Sequence, residues 1–164
     1  MLTEAGNPSY GRLAYSAFER MVIYFYTTTD EYGCFSNFSK HGIEMDGKWW
    51  ATVEHYFQAQ KFHDKEYQEK IRNVATPKAA ASLGRSRIIK IRDDWEEIKD
   101  IIMKNAVLKK FQTHKEIRDL LISTGDQEII ENSPIDYYWG CGKDGSGLNK
   151  LGKILQEVRE ILKQ

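Results

Sequence analysis

One segment constrains this chain more than any other: Thr52-Val-Glu-His-Tyr-Phe-Gln-Ala-Gln-Lys-Phe62. Thr52 is a fair N-cap for a helix running through it. In a helix, Glu54, Gln58 and Lys61 fall at i, i+4 and i+7, stacked on one face. Val53, Tyr56 and Phe57 point elsewhere and supply packing surface. A carboxylate, an amide and an amine then share one stripe beside an aromatic wall. That combination suits a proton-transfer site. From spacing alone a solvated helix face is the simpler reading, because polar pairs at this spacing are common on helix surfaces. Spacing leaves both readings open.

The rest of the chain bounds the answer. A length of 164 residues fits one domain with a core that needs no disulfide staples. Its 24 basic and 24 acidic residues balance, so no global field draws it to DNA or to an anionic membrane. A local basic pocket is compatible with that balance. Aromatic residues make up 12% and cluster around residues 24–62 and 137–139, as in a walled pocket or an aromatic core. Cys34 and Cys141 are far apart and, without a secretory signal, are expected as thiols. The histidines His41, His55, His63 and His114 lack metal-ligand spacing, so neither a metal site nor a cofactor is expected. Residues 1–21 lack the apolar core of a signal peptide, and Asn7-Pro8-Ser9 and Gly11 break any helix there. They read as a poorly ordered extension to a domain spanning 22–164. No apolar run approaches a membrane span. A cytoplasmic location follows as the expectation.

Helix and strand signals predict a single, mainly helical α+β domain with a small antiparallel sheet. Val22–Thr27 is β-branched and aromatic and reads as a strand. Ile43–Trp50 reads as a hairpin turning at Asp46-Gly47. Asp64 and Thr76-Pro77 open two helices. Asp93-Asp-Trp-Glu96 resembles a capping box ahead of a long helix. A further helix covers about 115–123, Glu128–Glu131 is a short strand, and a last helix runs from about Leu148 to Leu162.

Four further motifs carry candidate chemistry, each with a structural alternative. The loop Trp139-Gly-Cys-Gly-Lys-Asp-Gly-Ser-Gly-Leu-Asn149 brings glycines such as Gly140 to the start of a helix, where free N–H groups can hold an anion. It lacks the order of a Walker A loop and serves equally as a structural loop. Arg85 and Arg87 flank a serine just past a helix end; they suit a phosphate or the helix dipole. Asp136 precedes Trp139 in an aromatic segment and is either a turn former or a functional carboxylate. Trp139 can stack on a flat base or fill the core. Trp95 opens an amphipathic helix, where packing is the simpler role. Asn37, between Phe35-Ser36 and Phe38, can bond a ribose or a base edge, or make a turn.

Taken in order, these motifs resemble the YbiA-like, or NADAR, family of N-glycosidases. The resemblance is carried by FSNF (Phe35–Phe38), the Asp46–Phe62 stretch with EHYFQAQKF, P-x-x-A-x-x-LGR (Pro77–Arg85), R-x-x-W (Arg92–Trp95), Met103–Phe111 and D-x-x-WG-x-G…G-x-N-x-LG (Asp136–Gly152). It implies cleavage of the C–N bond between ribose 5-phosphate and a nitrogenous leaving group. The implied substrates are 5-amino-6-(5-phosphoribosylamino)uracil and its diamino-pyrimidinone precursor. Other members of the family remove ADP-ribose from guanine in nucleic acid, so ADP-ribosylated DNA or RNA is the alternative partner, and a non-catalytic ADP-ribose-binding module is a third reading. By the same resemblance Glu54, Lys61 and Asp136 are the catalytic candidates. Trp95 and Trp139 are expected to wall or stack on the base. Asn37, Arg85, Arg87, Gly140 and Asn149 are expected to hold the sugar phosphate.

Overall fold

The computed structural model describes residues 21–164. The extension expected over 1–21 therefore falls, but for Met21, outside the described residues. Strand β1 spans Ile23–Phe25, and β2 (Ile43–Met45) and β3 (Lys48–Trp50) form the expected hairpin. Its register pairs Ile43 with Trp50 and Met45 with Lys48. Asp46 and Gly47 take φ of 54° and 75°, as a two-residue turn of this kind requires. Then follow α1 (Val53–Gln60), α2 (Lys65–Asn73), α3 (Pro77–Arg85), α4 (Trp95–Thr113), α5 (Lys115–Ser123), strand β4 (Ile129–Glu131) and α6 (Lys150–Leu162). The domain is α+β, as expected, but the antiparallel hairpin is not its whole sheet content. β1 and β4 pair in parallel, Ile23 with Ile129 and Phe25 with Glu131. These strands come from opposite ends of the domain, and their apolar pattern carries no record of the partner.

Side-chain capping explains three of the six α-helix starts among the described residues. Oγ1 of Thr52 accepts from His55 N at 3.2 Å, Oδ1 of Asp64 from Tyr67 N at 2.8 Å, and Oγ1 of Thr76 from Ala79 N at 3.1 Å. The capping box expected at Asp93–Glu96 does not form. Asp94 holds the cap position without a side-chain cap bond, because its carboxylate is taken by Arg92 at 2.6 and 3.0 Å. α6 opens at Lys150 rather than Leu148, since Asn149 adopts a left-handed conformation (φ 50°, ψ 43°).

α1 lies at the centre and packs on α2, α3 and α4. Every residue from Val53 to Ala59 is buried, so Glu54 and Gln58 do not belong to a solvated face. Burial of polar groups demands partners. His55 finds them in Thr52 Oγ1 at 2.8 Å and the Val74 carbonyl at 3.0 Å. The contact of α1 with α3 depends on Gly84, where a Cβ would stand 1.9 Å from Oε1 of Gln58. Gly84→Ala should therefore lower stability by about 1–3 kcal/mol, the usual cost of overpacking. It should also disturb the Gln58–Glu54 pair. Thermal melting is the check, and an unchanged midpoint would argue against this close approach. None of the described helices is long and apolar enough to cross a membrane.

Candidate active site

The C-terminal end of α1, the first turns of α4 and the segment 136–139 enclose an open cleft of about 310 Å³. Phe57 forms its floor, with ring centroids 5.0 Å from Trp95 and 5.3 Å from Trp139. Trp95 begins α4 and Lys99 follows one turn later, so both line the same cleft. Asp136 shapes the opposite wall. Its Oδ1 accepts from the N–H groups of Tyr138 (2.9 Å) and Trp139 (2.7 Å), a local turn that fixes the Trp139 ring. Tyr138 lies edge-on to Trp139 at 4.9 Å and under the Lys99 ammonium at 3.9 Å. Its hydroxyl donates to Asp100 at 2.5 Å. Lys61, Arg87 and Lys99 give the aromatic cleft a cationic lining, with Glu96 paired to Lys99.

Lys61 lines this cleft, and Glu54 lies behind the lining, near enough for the two charges to act on each other. Lys61 caps the C-terminus of α1 and lines the opening, its Nζ 6.0 Å from the Phe57 ring centroid. Glu54 lies deeper, 8% exposed, with Oε1 accepting from Gln58 Nε2 at 2.6 Å. Burial pushes the Glu54 carboxyl up, and Asp136 adds to the push. The Gln58 bond and the charges of Lys61 and Arg85 only partly oppose it. Burial also pulls the Lys61 amine down; Glu54 opposes this while Arg87, Arg85 and Lys99 reinforce it. Among the described residues Lys61 makes no ion pair, with Glu54 or with any other carboxylate. Burial thus disfavours the charged form of both groups, and no locked ion pair joins them.

The other candidates take different places. Arg87 lines the cleft while its Nη1 donates to the carbonyls of Gly84, Arg85 and Ser86 at 3.0–3.2 Å, closing the end of α3. Arg85 is exposed, near enough for its charge to act on Glu54 and Lys61. Asn37 is outside the cleft lining; its carbonyl accepts from Glu54 N at 3.2 Å, and its Oδ1 is buried without a partner. Gly140 and Asn149 brace the wall from behind. A Cβ on Gly140 would stand 2.9 Å from the Glu131 carbonyl. The Asn149 amide spans β4, accepting from Glu131 N at 3.0 Å and donating to the Ile129 carbonyl at 2.9 Å.

Several residues with a part in this site escaped the sequence reading. Lys99 and Tyr138 were legible in principle, one as the position a turn beyond Trp95 and the other within the aromatic run. Lys110 is fully buried in α4 and donates to the carbonyls of Cys34 (2.5 Å) and Ser36 (2.9 Å), which anchors the loop carrying Asn37. Burial brings its amine down to about 7. Glu131 closes β4 with Oε2 sealed from solvent and unpartnered. Among the described residues no group of three or more His, Cys, Asp or Glu side chains is arranged to hold a metal ion.

Comparison with known proteins identifies the family. A family model described as NADAR domain matches residues 24–163, and the chain belongs to that family. It is 53% identical to an N-glycosidase of Nostoc punctiforme over 146 residues, 87% of this chain and 94% of the relative. It is 48% identical to N-glycosidase YbiA of Escherichia coli over 141 residues, 86% and 88% of the two chains. A riboflavin biosynthesis protein of Zea mays, PYRR, is 40% identical over 163 residues; these are 90% of this chain but 26% of that longer protein. The solution structure of Escherichia coli YbiA superposes with a TM-score of 0.82 at 46% identity, covering 89% of this chain and 87% of that one.

Proposed function

We propose that this chain, as a NADAR-family member an N-glycosidase and thus a hydrolase of N-glycosyl compounds, acts on early riboflavin-pathway intermediates. The bond cleaved is that between ribose 5-phosphate and the amine of a pyrimidine, in the phosphoribosylaminouracil or its diamino-pyrimidinone precursor. One observation carries the reading: a lysine without an ion-pair partner lines an aromatic cleft rich in cations, and a buried glutamate whose carboxyl is pushed up lies close enough for the two charges to act on each other. The riboflavin biosynthesis name of the Zea mays relative supports the substrate class. The reading keeps the chain in the cytoplasm, the location expected from its sequence.

In the proposed reaction the pyrimidine enters between Trp95 and Trp139, and the phosphate lies toward Arg87 and Arg85, where guanidinium forks suit its oxygens. The neutral Lys61 amine attacks C1 of the ribose. The C–N bond breaks, its electron pair moves to the departing nitrogen, and Glu54 gives that nitrogen a proton. The carboxylate of Asp136 faces the positive charge developing on the sugar. Water then adds to C1 of the lysine-linked sugar, Lys61 leaves as a neutral amine, and the proton that the water gives up passes to solvent. Kinetics on the two pyrimidine intermediates and on ADP-ribosylated DNA test the assignment. The reading expects turnover of the small phosphoribosylamines. Turnover of the modified DNA alone would move the function to nucleic acid, and binding without turnover of either would make the cleft a reader.

A further inference from the structure

We propose that Glu131 is the proton reservoir of this site: held at the end of β4 beside Glu54 and Asp136, it returns a proton to Glu54 after each C–N cleavage. This rests on the reaction proposed above and gives it a positioning residue that the motifs did not mark. The first support is the way the fold holds Glu131. Its N–H donates to Asn149 Oδ1 at 3.0 Å, and its carbonyl accepts from Cys141 N at 2.9 Å. The same carbonyl stands 2.9 Å from where a Gly140 Cβ would be, and the Asp136 carbonyl stands 3.1 Å from that point, so the main chains of the two acidic residues converge on one glycine. Register with Phe25 of β1 fixes the strand end from the other side.

The second support is the carboxyl group itself. Oε2 is buried and has no hydrogen-bond partner, although the residue as a whole is part-exposed. A carboxylate kept for structure is normally paired with a cation or bonded to donors. No ion pair reaches Glu131 among the described residues. The charged groups acting on it are instead Asp136 from the loop and Glu54 from α1, both acids. Phe25 of β1 and Asn149, just ahead of α6, bring no charge. Burial and these two neighbours push the Glu131 carboxyl from 4.5 up to about 8, so it is protonated at neutral pH.

The proton balance is simple. Glu54 gives its proton to the leaving nitrogen and becomes a carboxylate. Glu131 gives its proton to Glu54, directly or through water, and is recharged from solvent at its exposed side. Glu131→Gln keeps the shape and removes the transferable proton. It should lower kcat by about 100-fold, the low end for general acid–base help, with KM unchanged. It should also remove the share of the alkaline limb that Glu131 is expected to contribute above pH of about 8, leaving the fall that Glu54 itself causes.

Melting provides a readout that needs no substrate. The folded protein holds a proton on Glu131 between its ordinary value of 4.5 and about 8, while the unfolded chain does not. Its contribution to stability is complete below that window and is lost as pH rises through it. Glu131→Gln should flatten this fall in melting temperature. Glu131→Asp, which keeps the acid, should retain it and serves should the glutamine variant not fold. Unchanged kcat with an unchanged alkaline limb would overturn the reservoir while leaving the substrate assignment intact. If the wild type cleaves no phosphoribosylamine, the substrate assignment fails; a flattened melting profile then still supports the proton on Glu131, and an unaltered one overturns it.

Discussion

Lys61→Arg should abolish turnover, and borohydride added to the wild type during turnover should leave the ribosyl phosphate covalently attached to Lys61. The expectation follows from the state of this amine. Partial burial and the charges of Arg87, Arg85 and Lys99 favour its neutral form, and no carboxylate among the described residues holds it as an ammonium. A neutral amine beside C1 of a ribosylamine can form an imine, which borohydride reduces to a stable secondary amine. Arginine keeps the positive charge of the cleft but is protonated at any accessible pH and is no nucleophile. The variant thus separates attack from electrostatics. Peptide mass mapping locates the adduct. Its absence from an active enzyme would assign the attack to water and leave Lys61 as a local charge.

Glu54→Gln carries the second large effect. General acid–base help is worth roughly 100- to 10,000-fold, about 2.7–5.4 kcal/mol of barrier. The glutamine keeps the volume of the side chain, so the fold around Gln58 should survive. Since burial raises the Glu54 carboxyl, its proton persists above the ordinary carboxylate range and is lost only at higher pH. Since burial lowers the Lys61 amine, its neutral form appears below the ordinary lysine range. Activity should therefore rise with pH as Lys61 becomes neutral and fall again as the acids ionise, giving a bell. Glu54→Gln lowers the whole profile. A kcat within a few-fold of wild type would remove Glu54 from proton transfer.

Residues 52–62 illustrate what the sequence can and cannot convey. Capping chemistry marked the start of α1, and spacing put Glu54, Gln58 and Lys61 on one stripe. Whether that stripe met water depended on α2, α3 and α4 closing around it, and that information resides in their packing. Gly84 is an example, since its need is visible only when Gln58 lies against it. The Asp46-Gly47 turn was legible because two residues suffice to specify it. The β1–β4 pair was not, because three-residue strands from distant parts of the chain carry no mutual address. Lys61, Arg87, Trp95, Asp136 and Trp139, drawn from four separate motifs, line one cleft. Asn149 and Gly140 brace β4 instead, and Glu131 read as strand because an acid ending an apolar run looks like an ordinary edge.

The most direct test of the central claim is a mass-spectrometric measurement of products from the phosphoribosylaminouracil. The account predicts ribose 5-phosphate released in step with the free aminopyrimidine, in equal amounts, and neither product with Lys61→Arg. Intact substrate after incubation with folded wild-type protein would contradict it.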